Sequence, residues 1–254
     1  MPLPQASNLA KAALAGALGA LLSGCGVAES CKDRPEGCET LSLQGTLPIY
    51  WGEAAGMQDL LDGTTETGWV RRRLERDYDL STLSWLADGA LDGEERLLLA
   101  QPRAPSPQEN VALDEWVRGG GKLLLFADPM LTGHSRFGIG DPRRPQDVIV
   151  LSPILRRWGL EMAFDPEGDP TPRGESGFGV TVPVALAGEL SFFGGEAAGK
   201  CKFSPGRVIA HCAIGRGKVT ILADAHVIEH AAEAEPEEGD ADALDALLRL
   251  AFDR

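Results

Sequence analysis

Two short apolar runs, Arg96–Gln101 (RLLLAQ) and Lys122–Ala127 (KLLLFA), limit the folds open to this chain more than any other feature. Each is continuously apolar, as strands are when a sheet is covered on both faces. The segment between them carries a complete helix signal. Ser106 sits at the cap position, Pro107 follows it, Glu109 completes a capping box, and Gly119-Gly120-Gly121 stops the helix. Val111, Leu113, Trp116 and Val117 give the intervening helix, Gln108–Arg118, an apolar side. A helix returning the chain to the same sheet makes the two strands parallel neighbours in a βαβ unit. With the usual right-handed crossover, the expected fold class is α/β, a doubly wound and mostly parallel sheet.

The remaining elements are read against that unit. Thr46–Trp51 (TLPIYW) is expected as a buried strand, Gly68–Arg76 as a helix and Tyr78–Leu86 as a second strand. Downstream, Ser152–Trp158 reads as a helix with Pro at its start, Leu160–Phe164 as a strand, and the Pro- and Gly-dense stretch Asp165–Gly179 as a loop. Val180–Val184, Leu190–Phe193, Lys200–Phe203 and Arg207–Ala213 are short strands, expected as an antiparallel hairpin excursion from the main sheet. Lys218–Ala223 returns to a buried strand, and Ala241–Phe252 closes as an amphipathic helix.

The first residues are an export signal. A polar stretch ends at Lys11, an apolar run covers Ala12–Leu22, and Leu22-Ser23-Gly24-Cys25 follows. The run is shorter than the ~20 apolar residues a bilayer span needs, and the layout is that of a cleavable leader. Its last four residues resemble the lipobox of bacterial lipoproteins, which makes Cys25 the lipidation site. Two or three acyl chains anchor a domain stably where one does not. Gly26 stands where inner-membrane retention in enteric bacteria uses Asp, which points to the outer membrane. The expected localisation is the cell envelope, lipid-anchored and facing the periplasm.

Four further cysteines, Cys31, Cys38, Cys201 and Cys212, allow three pairings. Cys201 and Cys212 flank the turn signal Ser204-Pro205-Gly206-Arg207, which sets them opposite each other in a hairpin and leaves Cys31 to pair with Cys38. The expected organisation is a leader over 1–24, a tether with a small disulfide loop over 25–44, and one α/β domain over 45–254. A formal net charge of −14 argues against nucleic acid as a partner.

Candidate ligand-binding residues gather at the carboxyl ends of the expected strands, where open α/β sheets bind ligands. They are Trp51 and Glu53, Gln101, Asp128 and His134, and Asp224 and His226. Aromatic and amide groups beside carboxylates suit a polar ligand such as a saccharide or peptide. Capping of local backbone is the preferred role for Asp128 and Asp224. Arg136, Arg143 and Arg144 are expected to pair with nearby acids. His226-Val227-Ile228-Glu229-His230 matches the H-x-x-E-H zinc pattern, so a zinc-dependent hydrolase is the alternative enzyme reading, weakened by the short remainder of chain. No bound metal or cofactor is expected. Gly119-Gly120-Gly121-Lys122 and Gly215-Arg216-Gly217-Lys218 each lead into a strand and lack the Ser or Thr of a phosphate loop.

The segment LLLAQPRAPSPQENVALDEWVRGGGKLLLFADP, with GRGKVTILADAHVI later, resembles the GldG-like family of ABC-transporter auxiliary proteins, whose domains are similar to class I glutamine amidotransferases. The resemblance implies a flavodoxin-like, amidotransferase-like sheet and partners among ABC-transporter subunits or other envelope proteins. Where an amidotransferase places its nucleophilic cysteine, this chain has Asp128-Pro129-Met130. The function it implies is a membrane-anchored, non-enzymatic binding or scaffold lipoprotein, with a periplasmic solute-binding protein as a further alternative. Labelled palmitate fed to an expressing bacterium should enter the protein, and Cys25→Ser should abolish the label; a labelled Cys25→Ser variant would refute lipidation at this residue.

Overall fold

The computed structural model describes residues 31–33, 37–52, 67–194 and 200–253. The leader, Cys25 and Glu53 therefore lie outside the described residues. After a 3-10 turn at Cys31–Asp33, the chain runs through β1 (Glu39–Gly45), α1 (Trp69–Asp77), β2 (Tyr78–Thr82), β3 (Arg96–Ala100), α2 (Pro107–Gly119) and β4 (Lys122–Phe126). It continues with α3 (Ser152–Arg157), β5 (Leu160–Ala163), β6 (Arg173–Gly177), β7 (Val180–Val184), β8 (Glu189–Phe192), β9 (Lys200–Phe203), β10 (Ile209–Ile214), β11 (Gly217–Leu222), α4 (His226–Glu229) and α5 (Asp240–Phe252). Among the described residues no helix is long and apolar enough to cross a membrane.

Seven strands form one sheet in the order β2-β1-β3-β4-β11-β10-β9. Neighbours are parallel from β2 to β11, while β10 and β9 are antiparallel additions. Side chains alternate across it. Leu98 and Ala100 of β3 and Leu124 and Phe126 of β4 join a core with residues of α1 and α5. Leu97, Leu99, Leu123 and Leu125 enter a second core with Val117 of α2 and with Leu155 and Trp158 at α3. Two apolar faces explain why β3 and β4 are apolar at every central position.

The α2 cap forms as its spelling requires. Ser106 Oγ accepts from Glu109 N at 3.2 Å and the Glu109 carboxylate accepts from Ser106 N at 2.9 Å, while its other oxygen takes Leu86 N at 3.2 Å. On the same helix Asp114 is fully buried. It accepts from Arg118 Nε at 2.9 Å, from Trp158 Nε1 at 3.0 Å and from Arg157, so one carboxylate ties α2 to α3. Disulfides join Cys31 to Cys38 and Cys201 to Cys212, the second across the β9–β10 pair.

The structure corrects several expectations. β1 lies within the stretch read as a tether, and Thr46–Trp51 forms no strand: its chain bends at once, with Ile49 N donating to Leu47 O at 2.8 Å. β6 lies in the stretch read as a loop and pairs with β7 in a separate two-stranded sheet; β5 and β8 form another. The doubly wound, mostly parallel, flavodoxin-like or amidotransferase-like sheet with a hairpin excursion is thus replaced by a mixed sheet, because β9 and β10 continue the main ladder and the outlying strands leave it altogether.

Asp114→Ala should lower stability by ~1–3 kcal/mol, the usual cost of stranding buried donors such as the Trp158 N–H. Arg118 and Arg157 lower the Asp114 pKa against the opposing effect of burial. Its contribution is therefore complete above the ordinary Asp value of about 3.9 and fades as pH falls through the depressed one. Denaturant unfolding at pH 7 and pH 3 tests both parts: a wild-type-to-mutant difference that is absent at pH 7, or undiminished at pH 3, contradicts the assignment.

Candidate functional site

A parallel sheet gathers the carboxyl ends of its strands at one edge. Here the chain leaves β1 through α1 to β2 on one side, and resumes on the other side of β1 with β3. Connections diverging in this way open a crevice between the strands, the place where open sheets take ligands. An open crevice of about 700 Å³ lies there. Its floor is the end of β1: Gly45 sits so close to β3 that a Cβ would fall 2.0 Å from Ala100 O. The next residue is fastened by Thr46 N to Ala100 O at 3.1 Å and by Thr46 Oγ1 to Gln101 O at 2.6 Å.

One wall is aromatic. Trp51 is 69% exposed and meets the Tyr50 ring edge-to-face, with centroids 4.9 Å apart. Arg71 fixes Tyr50 from α1: its guanidinium lies 4.1 Å over the ring, and Nη1 donates to Tyr50 O at 2.7 Å. The facing loop brings Arg103, Phe137 and Arg143. Arg143 stacks 4.2 Å over Phe137 and makes a two-point contact with Asp141, at 3.0 and 2.8 Å. Arg103 donates to Pro142 O at 2.6 Å and has no carboxylate partner among the described residues. From the floor, Gln44 offers a side-chain Oε1 that is buried and accepts no hydrogen bond from a described residue. Such an acceptor costs ~1–3 kcal/mol until a donor reaches it. No described lining residue is an acid or a histidine.

The sequence-derived candidates divide between this crevice and a different place. Trp51 lines the crevice. Gln101, Asp128, Asp224 and His226 come together farther along the same edge, beyond β3, β4 and β11. Gln101 is buried with positive φ, and its amide is fully used: Nε2 donates to Asp128 O and Gln146 O, each at 2.9 Å, and Oε1 accepts from Asp128 N at 2.9 Å. Asp128 accepts from Met130 N at 2.8 Å and Ala225 N at 2.9 Å. Asp224 accepts from Ala185 N at 2.8 Å and His226 N at 2.6 Å. His134 is exposed, near Glu229 and His230 at a narrow notch. Arg144 pairs with Asp147 at 2.7 Å.

Burial, only partly offset by its two N–H donors, pushes the Asp128 carboxyl up to about 7. Burial and then the Asp128 charge raise Asp224, while burial and Glu237 raise Asp240 to about 6. His226 is raised by Glu229. Glu229 itself ends below its ordinary value: burial works to raise it, and His226, the Gly133 N–H and Thr132 outweigh that.

The H-x-x-E-H pattern does not build a zinc helix. α4 is a single turn, the His226 and His230 rings stand 6.5 Å apart at 81°, and the Glu229 carboxylate is engaged by Thr132 Oγ1 at 2.9 Å and by Gly133 N. Among the described residues no group of three or more His, Cys, Asp or Glu could hold a metal ion. The zinc-hydrolase alternative is corrected on this geometry.

No family model matches the chain, and no curated protein matches it. Solved structures with a similar backbone include an exo-β-1,4-mannosidase from Opitutaceae bacterium strain TAV5, at 14% identity and TM-score 0.43 over 84% of this chain and 34% of that one. Another is the β-galactosidase from Rahnella sp. R3, at 12% identity and TM-score 0.46 over 83% and 31%. A cytoplasmic protein of Salmonella typhimurium LT2 matches at 12% identity and TM-score 0.40 over 84% and 99%. The chain spans about a third of the length of the two glycosidases. Likenesses this distant transfer no activity.

The family assignment is corrected: no family model, GldG-like or amidotransferase-like included, matches the chain, and no curated protein supports it. What the resemblance implied falls with it, namely the transporter-auxiliary and scaffold role. The non-enzymatic reading also falls, because a missing cysteine is informative only where the family requires one. The solute-binding alternative had no residue of its own to support it.

Gln44, Tyr50, Phe137 and Arg103 were missed as site residues. The available signal was Tyr50-Trp51-Gly52, an aromatic pair before a glycine; Gln44 was hidden by the misplacement of β1.

The raised groups fix a pH dependence. A carboxyl whose folded pKa exceeds its unfolded value stabilises the fold when protonated, so that contribution declines as pH rises from about 4 to the folded values near 6 and 7. The raised His226 acts in the same direction, losing its contribution as pH rises through its folded value. The melting temperature should therefore fall by about 3–6 °C between pH 5 and 8, corresponding to ~1–2 kcal/mol in a domain of this size. Asp128→Asn should flatten that slope; a melting temperature that rises over this range contradicts the sign.

Proposed function

We propose that the crevice between β1 and β3 recognises a saccharide. The observation that supports this most is the exposed Trp51 ring in a crevice whose rim carries the hydroxyls of Thr82 and Ser84 and the Arg103 guanidinium. A pyranose ring presents an apolar face of C–H groups and an equatorial rim of hydroxyls. The first suits the exposed indole of Trp51, and the second suits the polar groups of the rim. Thr82 and Ser84, exposed on the rim, add hydroxyls that make no hydrogen bond to a described residue. A small ion would leave Trp51 unused. The crevice is open along the sheet edge, which suits one or a few units of a chain.

Attachment of lipid at Cys25 complements this reading. It would tether the domain at the end from which β1 starts, while the crevice lies at the far end of β1, about 20 Å on.

Titration calorimetry of the purified domain against a panel of neutral and acidic oligosaccharides tests the proposal. Binding should occur, Trp51→Ala should weaken it about tenfold, the equivalent of ~1.4 kcal/mol, and Ser84→Ala, an exposed change at the rim, should weaken it by less, with the fold intact by circular dichroism. Absence of binding across the panel, or binding indifferent to both substitutions, would overturn it.

A further inference from the structure

The crevice carries a charge pattern opposite to that of its protein. The chain as a whole has a formal net charge of −14 and a sequence pI of about 4.7. The described lining of the crevice contains two arginines and no acid. The two are not equivalent. Arg143 is neutralised in place by the Asp141 carboxylate, which holds it by two bonds, and its plane is occupied by Phe137. Arg103 is exposed and, among the described residues, is held by a neutral carbonyl, Pro142 O. One of its five N–H groups is thereby used to aim the guanidinium, and its remaining donors are open to an incoming group.

Many basic side chains elsewhere are paired with acids, as with Arg71 to Glu75, Arg73 to Asp77 and Arg144 to Asp147, and Arg216, which also donates to a backbone carbonyl, Gly119 O, lines no part of the crevice. In a protein this acidic, an aimed arginine without a carboxylate is a fork that fits carboxylate or sulfate geometry. A neutral sugar gives it only hydroxyl acceptors, and the negative field of the remaining protein repels a free anion that lacks other contacts.

Resting on the reading of the crevice as a saccharide site, we propose that the ligand is an acidic saccharide, with Arg103 receiving its carboxylate while Trp51 stacks on the ring. Arg103 is then the residue that sets specificity, and Trp51 the one that supplies affinity for any pyranose.

Oligogalacturonate and the same oligomer with its carboxyls methyl-esterified separate the two claims, since esterification removes charge and keeps the ring and hydroxyls. The free acid should bind the wild-type domain at least tenfold more tightly than the ester, and this preference should shrink as salt rises from 20 to about 200 mM, where surface charge is largely screened beyond ~10 Å. Arg103→Gln, an exposed change, should abolish the preference, the free acid and the ester binding the variant with equal affinity. Equal affinities of the wild type for acid and ester, or a preference that survives in Arg103→Gln with the wild-type melting temperature, overturn the acidic assignment and leave the saccharide site standing. Failure of both oligomers to bind, with neutral members of the panel bound through Trp51, also overturns the acidic assignment. Failure of every saccharide overturns the crevice itself.

Discussion

At the carboxyl edge of this sheet the backbone N–H groups run out of ladder partners, and a buried N–H must find an acceptor. Side chains from three neighbouring strand ends supply them. Gln101 bridges from β3 to the Asp128 backbone, Asp128 bridges from β4 to Ala225 beyond β11, and Asp224 reaches Ala185 after β7. The chain of amide and carboxylate contacts thus joins the middle of the main sheet to the small β6–β7 sheet. Its acids are held where burial favours their protonated forms, yet backbone N–H donors prefer the ionised ones. That opposition places the Asp128 carboxyl near neutrality rather than at either extreme.

Saturation at that half of the edge explains why ligand capacity lies in the other half. Every oxygen of Asp128 and Asp224 and both amide atoms of Gln101 already have partners. Releasing one for a ligand would strand a buried N–H. Between β1 and β3 the balance is reversed: among the described residues Arg103 has no anion beside it, and the Trp51 ring is largely exposed. One edge therefore contains a rigid, internally satisfied part next to a part whose groups are satisfied only from outside.

What the sequence made legible depended on whether both faces of a strand are apolar. β3, α2 and β4 were readable, caps included, because two apolar cores press on the strands and the helix ends follow local rules. β1 was not, for a physical reason. Leu41 and Leu43 face one core, but the opposite face carries Ser42, fully buried and hydrogen-bonded to Ser81 Oγ at 3.1 Å and to the Glu94 carboxylate. A polar residue buried by long-range partners looks solvated when read locally. The converse misled at Leu47 and Ile49, which are buried without joining any ladder, so apolar content there meant packing and not pairing. The strand-end acids were legible as a group, since each follows an apolar run. Their role was set by N–H donors distant in sequence, such as Ala225 for Asp128 and Ala185 for Asp224.

The misplacement of β1 had consequences for chemistry as well as topology. With Thr46–Trp51 taken as the first strand, Trp51 stood at a strand end beside Gln101, and one mixed site seemed to span the whole edge. Moving the strand back to Glu39–Gly45 turns Thr46–Gly52 into a loop that lies across the strand ends, and it is this loop that raises Trp51 clear of the sheet. Arg71 then fixes the loop by gripping both the ring and the carbonyl of Tyr50. The loop backbone that presents Trp51 is thus anchored, so less backbone freedom is lost when a ligand stacks on the ring. The same reasoning separates the two arginines. Arg143 is committed to Asp141, and the guanidinium that a single carbonyl aims without neutralising is the one that can discriminate among ligands by charge.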